Sequence, residues 1–129
     1  MVLFIYANKH TAVNILFIHN DPEIQTEIDD FLRMHNGQGF FARDTAQAIN
    51  ILNNYVICLA VLQINNLRDA AILKYINENY QGLEVLVMAS QEYDDIISVF
   101  SKGKYKLFRQ PWHLSELKEN IDSYYHMDS

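Results

Sequence analysis

The sequence predicts an α/β fold, with a parallel β-sheet covered by helices on both faces. Three observations carry this. Short apolar runs rich in β-branched residues alternate five times with helical patterns. One of those runs, residues 56–62 (VICLAVL), is apolar throughout, as a strand buried on both faces must be. Gly, Pro, Asp or Asn punctuates most of the junctions between them. At 129 residues, 50% of them hydrophobic, the chain has the length and core material of one domain.

The elements follow in order. Residues 14–18 (NILFI) predict the first strand. Asp21 and Pro22 open a helix as N-cap and first-turn residue. Ile24, Ile28, Phe31 and Leu32 share one face of that helix, and Gly37 and Gly39 are expected to end it. Residues 40–43 predict a short second strand. Asp44 or Thr45 then caps a helix carrying Ala46, Ala48, Ile49 and Leu52. Residues 56–62 predict the third strand, with Gln63 at its end. A helix from about Asp69 turns Ile72, Leu73 and Ile76 inward, and Gly82 precedes a fourth strand over 83–89. The fourth helix carries Ile96, Ile97 and Phe100 and ends at Gly103. A short fifth strand covers 105–108, Gln110 and Pro111 break the chain, and residues 115–126 form a last helix with Leu117, Ile121 and Tyr124 inward.

Right-handed crossovers between these five βα units place helices on both faces of the sheet. Residues 1–13 fall outside the pattern as an extension, and 14–129 form the domain. In the extension, Val2-Leu3-Phe4-Ile5-Tyr6 mimics Ile15-Leu16-Phe17-Ile18-His19 thirteen residues later. So apolar a segment is expected to add an extra N-terminal strand at an exposed sheet edge.

Composition excludes several function classes. The net charge is −6 and no Lys/Arg run exceeds two, which argues against a nucleic-acid partner. No segment has the length of a membrane span, and the opening apolar stretch is too short for a signal-peptide core, so a cytoplasmic protein without a membrane partner is expected. Cys58 is the only cysteine, so no intrachain disulfide can form, and it is expected to be buried within the third strand. No Gly-flanked nucleophile, triad order or phosphate-cradling Gly-rich loop is visible. Neither an enzyme nor a cofactor is expected.

With these units placed, the chain resembles the receiver domain of two-component response regulators. Residues 15–23 (ILFIHNDPE) look like that family's first strand and acidic turn, and Leu59-Ala60-Val61-Leu62-Gln63-Ile64-Asn65 looks like its phosphoacceptor strand. Residues 85–90 (VLVMAS) look like its fourth strand, and residues 103–112 (GKYKLFRQPW) like its Lys-Pro-aromatic segment. The resemblance implies a flavodoxin-like (βα)5 fold, a three-layer sandwich with strand order 2-1-3-4-5.

The resemblance also implies where switch chemistry would sit, and those positions depart together. The paired metal-binding acids fall at His19 and Asn20, and the phosphoacceptor aspartate at Gln63. The hydroxyl residue that contacts the phosphoryl group falls at Ala89, the lysine at Gln110 and the switch aromatic at Leu107. The Pro/Gly turn after the third strand is replaced by Asn65-Asn66-Leu67-Arg68-Asp69. An amide cannot serve as the carboxylate nucleophile of an acyl-phosphate. Mg²⁺ calls for carboxylate oxygens that these positions lack, and charge on a moving phosphoryl group would have no stabiliser. No metal is expected.

The resemblance therefore implies a non-catalytic pseudo-receiver that works by contact with a protein partner. In that family the face made by the fourth helix, fifth strand and last helix binds partners. Tyr93, Tyr105, Trp112 and Tyr125 are candidates for such an interface, with a second copy of this chain as one candidate partner. The alternative is a small-ligand or metal sensor using the neutralised pocket around His19, Asn20, Gln63 and Asn65, with His113 as a further soft-metal candidate.

Overall fold

The computed structural model describes residues 13–19, 22–35, 37–102, 105–109 and 113–126, with side chains at 13–19, 25–35, 37–102, 105–109 and 113–123. Strands and helices alternate: β1 (Val13–Ile18), α1 (Pro22–Met34), β2 (Gly37–Ala42), α2 (Thr45–Asn54), β3 (Leu59–Gln63), α3 (Ala71–Asn79), β4 (Glu84–Met88), α4 (Asp94–Ser101), β5 (Lys106–Phe108) and α5 (Leu114–His126). Single 3₁₀ turns, Leu67–Ala70 and Gln91–Tyr93, lead into α3 and α4. Every strand pair is parallel, and the order is β2-β1-β3-β4-β5. This is the flavodoxin-like arrangement.

The period of two along each strand sorts the core into two layers. Leu16, Ile18, Ala60, Leu62, Val85 and Val87 face one side and pack with Ala48 and Leu52 of α2, Ile72, Leu73 and Ile76 of α3, and Ile97 of α4. Ile15, Phe17, Leu59, Val61, Leu86 and Met88 face the other, against Ile28 and Leu32 of α1 and Leu117 and Ile121 of α5. Phe17 and Phe41 stack there with ring centroids 5.1 Å apart. Burying one such large apolar side chain stabilises the fold by about 1.5–3 kcal/mol.

Local chemistry sets the element ends. Asp44 caps α2, its carboxylate accepting from the Gln47 N–H at 2.8 Å. Gln47 answers by accepting the Arg43 N–H at 2.7 Å. α4 ends on Lys102 in a left-handed conformation, φ 53°.

Four details differ from the sequence expectations. β3 begins at Leu59, not at residue 56: Val56 is 81% exposed and Cys58 is half-buried just ahead of the strand. Asn14 holds this approach, taking the Cys58 N–H on its carbonyl and giving its side-chain amide to the Val56 carbonyl, both at 2.9 Å. A continuous apolar run does not mark where ladder pairing starts. Second, Gly37 and Gly39 lie inside β2 rather than after a helix. A Cβ on Gly39 would stand 3.1 Å from the Phe41 ring and 3.2 Å from Leu32, so glycine there lets β2 approach α1 closely. Third, Ala46 is exposed at the start of α2. Fourth, the backbone turn into α3 already begins at Leu67.

The expected N-terminal strand, the Asp21 cap, the Gly103 stop and the Gln110-Pro111 break lie outside the described residues. Among those described, no helix is long and apolar enough to cross a membrane.

Candidate functional site

The carboxyl edge of the sheet gathers the sequence candidates. Ile18 stands opposite Leu62 in the β1–β3 ladder, so His19 and Gln63 follow at the same level of that edge. His19 leaves β1 in a left-handed conformation, φ 61°, uncommon for a residue with a side chain. Its backbone N–H reaches the Ala42 carbonyl at 3.0 Å, which ties the turn to β2. Its ring turns towards Asp69, with Nε2 3.5 Å from Oδ1.

Asp69 is the organiser that the sequence reading missed. It is a buried carboxylate. Oδ2 accepts the Asn65 N–H at 2.8 Å and the Asn66 N–H at 3.2 Å, while the Asn66 side chain accepts the Asp69 N–H at 3.2 Å. Asn66 and Asp69 thus form a reciprocal capping box over the 3₁₀ turn. The Asn-x-x-Asp spacing was visible in the sequence and is the signal that could have found it. Tyr93 adds a brace from the β4 side, its hydroxyl donating to the Asn65 carbonyl at 2.9 Å.

Among the described residues two buried side-chain polar atoms make no hydrogen bond. Gln63 donates from Nε2 to Asn65 Oδ1 at 3.3 Å, but its Oε1 is buried with no hydrogen-bond partner. His19 Nε2 is likewise buried and makes no hydrogen bond. Buried polar atoms are ordinarily satisfied, so two orphans at one edge mark that edge out.

The other candidates lie apart from these. Ala89 follows β4, fully buried, its N–H bonded to the Phe108 carbonyl at 3.1 Å. Leu107 is half-buried in β5 and packs on the core. Tyr93 and Tyr105 are half-buried and pack on that same core layer. Next to them Asp94 and Arg109 form a forked ion pair, Nη2 lying 2.6 Å from Oδ2, and the hydrogen bonds that Arg109 donates to Asp94 hold the guanidinium above its ordinary pKa. Asn20, Gln110, Trp112 and the Tyr125 side chain lie outside the described residues. Among the described residues no group of three or more His, Cys, Asp or Glu is placed to hold a metal ion.

A groove of about 680 Å³ opens beside His19, on the β2 side. Its walls include Arg43, Thr45, Asn65, Arg68 and Asp69. Arg43 and Arg68 were not singled out from the sequence. Nothing but their positions after β2 and β3 distinguishes them from other surface arginines.

Comparison with known proteins places the fold. No protein-family model and no curated protein matches the sequence. Solved structures do match. A CheY-like response regulator receiver domain protein from Methanospirillum hungatei superposes with a TM-score of 0.73 at 16% identity, over 91% of this chain and 96% of that one. The signal receiver domain of an HD domain-containing protein from Pseudomonas fluorescens gives 0.72 at 16% identity, over 90% and 98%. A response regulator from Thermotoga maritima gives 0.68 at 14% identity, over 87% and 96%. The chain has the fold of response-regulator receiver domains.

Proposed function

We propose that the chain is a pseudo-receiver, a signalling-type module that acts by binding a protein and does not use aspartyl phosphorylation. The observation that carries this reading is Gln63. It ends β3, where the receiver resemblance calls for the phosphoacceptor, and it offers an amide in place of a carboxylate. An amide neither attacks phosphorus as a carboxylate does nor forms an acyl-phosphate.

The neighbouring donors support the same reading. A Mg²⁺ ion in this fold needs hard, anionic oxygens. His19 supplies an imidazole and Gln63 an amide oxygen, while the Asp69 carboxylate is engaged by the Asn65 and Asn66 N–H groups. This donor set does not fit Mg²⁺. The methyl of Ala89 gives no hydroxyl to a phosphoryl group. Function then falls to surfaces, where α4 presents Asp95, Ser98 and Val99 and β5 presents Lys106 beside the half-buried Tyr93 and Tyr105.

The test is exposure to acetyl phosphate with Mg²⁺, read by intact mass. No adduct is expected, and Gln63→Asp alone is expected to restore none, because the metal ligands are missing as well. A stable gain of about 80 Da, one phosphoryl group, mapping to residues 63–69 in the unaltered chain would overturn the reading.

A further inference from the structure

Of the described positions at which the receiver resemblance places switch chemistry, the groove is lined by His19 alone. Neither Gln63 nor Ala89 lines it; it is bounded by the ends of β1 and β2 and the turn after β3. In a sheet of order 2-1-3-4-5, β1 and β3 flank the topological switch point, where open α/β sheets bind ligands. Its volume, about 680 Å³, falls within the range of small-molecule sites, roughly 300–1,000 Å³.

We propose that this groove binds a small oxyanion, a phosphate- or carboxylate-bearing metabolite, between Arg43 and Arg68. Both guanidiniums line the groove and are exposed. Among the described residues neither has an ion-pair partner, whereas Arg33 and Arg109 both do. Guanidinium forks match phosphate and carboxylate oxygens in pairs.

The two acids in the groove keep their negative charge, but neither forms an ion pair with Arg43 or Arg68. Asp69 is held by two backbone N–H groups. Asp44 accepts from Gln47 at the N-terminus of α2, where the helix dipole offsets its charge. The chain's net charge of −6 matters little at this range, because charges farther away than about 8 Å are screened at physiological salt.

Two further residues shape the site. His19 lines the groove, held at φ 61° with Nε2 already facing Asp69 Oδ1 at 3.5 Å, which fixes the ring as part of the wall. Thr45, also in the groove wall, supplies a hydroxyl as a neutral donor for the oxyanion. The proposal is independent of whether Gln63 is phosphorylated.

The experiment is an amide NMR titration of the full chain with inorganic pyrophosphate and, separately, with citrate, at constant ionic strength. Saturable shifts are expected at residues 19, 43–46 and 65–69. Arg43→Gln and Arg68→Gln should each weaken binding by about 10-fold or more, as loss of a charged donor to an anion does. Lys106→Gln, on the exposed part of β5, should leave it unchanged. Tighter pyrophosphate binding would identify a phosphate-bearing ligand, and tighter citrate binding a carboxylate. No saturable shift with either probe up to roughly 20 mM, an affinity weaker than about 2.3 kcal/mol, would overturn the proposal. So would shifts that survive the Arg43→Gln, Arg68→Gln double substitution.

Discussion

The two halves of the sheet's carboxyl edge treat their polar groups differently. On the β4–β5 side several polar groups find a neighbour in the chain. Asp94 forks onto Arg109, Ser90 donates to Glu92 at 3.0 Å, the Ala89 N–H meets the Phe108 carbonyl, and the Tyr93 hydroxyl meets Asn65. On the β2–β1–β3 side Gln63 Oε1 is buried without a hydrogen bond, His19 Nε2 has only the 3.5 Å contact with Asp69, and Arg43 and Arg68 stand with no carboxylate partner among the described residues. Asp69 is the exception, its Oδ2 accepting two backbone N–H groups and its Oδ1 facing His19. A half that satisfies itself gains nothing from a small ligand. A half with unmatched donors and acceptors stays costlier until something fills it.

Three substitutions would sharpen or break this contrast. Asp69→Ala should have the largest effect. It removes the acceptor of two backbone N–H groups and one side of the capping box, and is expected to lower stability by about 2–3 kcal/mol in urea unfolding. A loss no greater than that of a surface acid would mean that Asp69 does not organise the edge. Gln63→Leu should act in the opposite direction. Replacing a buried, unmatched oxygen with methyl groups is expected to raise stability by about 0.5–1 kcal/mol, visible as a higher urea midpoint. A clear destabilisation would show that Oε1 is satisfied, by water or by ligand. Arg109→Gln should do the least. Its pair with Asp94 is exposed, so the midpoint should not move at moderate salt, and any difference seen at low salt should vanish as salt is added. A salt-resistant loss would make the β4–β5 half more dependent on its own pairing than the contrast allows.

Much of the fold was legible because parallel strands buried on both faces must be apolar. LFI in β1, LAVL in β3 and VLVM in β4 admit few other readings. Helix faces were legible for the same reason: Ile28 and Leu32, Ile72, Leu73 and Ile76, and Leu117 and Ile121 repeat at helical spacing and are buried. Boundaries were less so. Nothing in residues 56–58 says that Asn14 will hold them off the ladder, and nothing at Gly39 says that Leu32 will lie 3.2 Å from where a Cβ would stand. Both depend on the approach of a second element.

The same division runs through the site. Sequence alone determined that Gln63 ends the central strand as an amide and that His19 ends the first, since residue type and strand position are local properties. Tertiary structure alone decided that Asp69 would fold back to hold Asn65 and Asn66 and face His19. It also decided that arginines 25 positions apart, Arg43 and Arg68, would line one groove. Chain segments distant in sequence meet there only because β1 lies between β2 and β3 in the sheet, bringing the ends of all three to one edge.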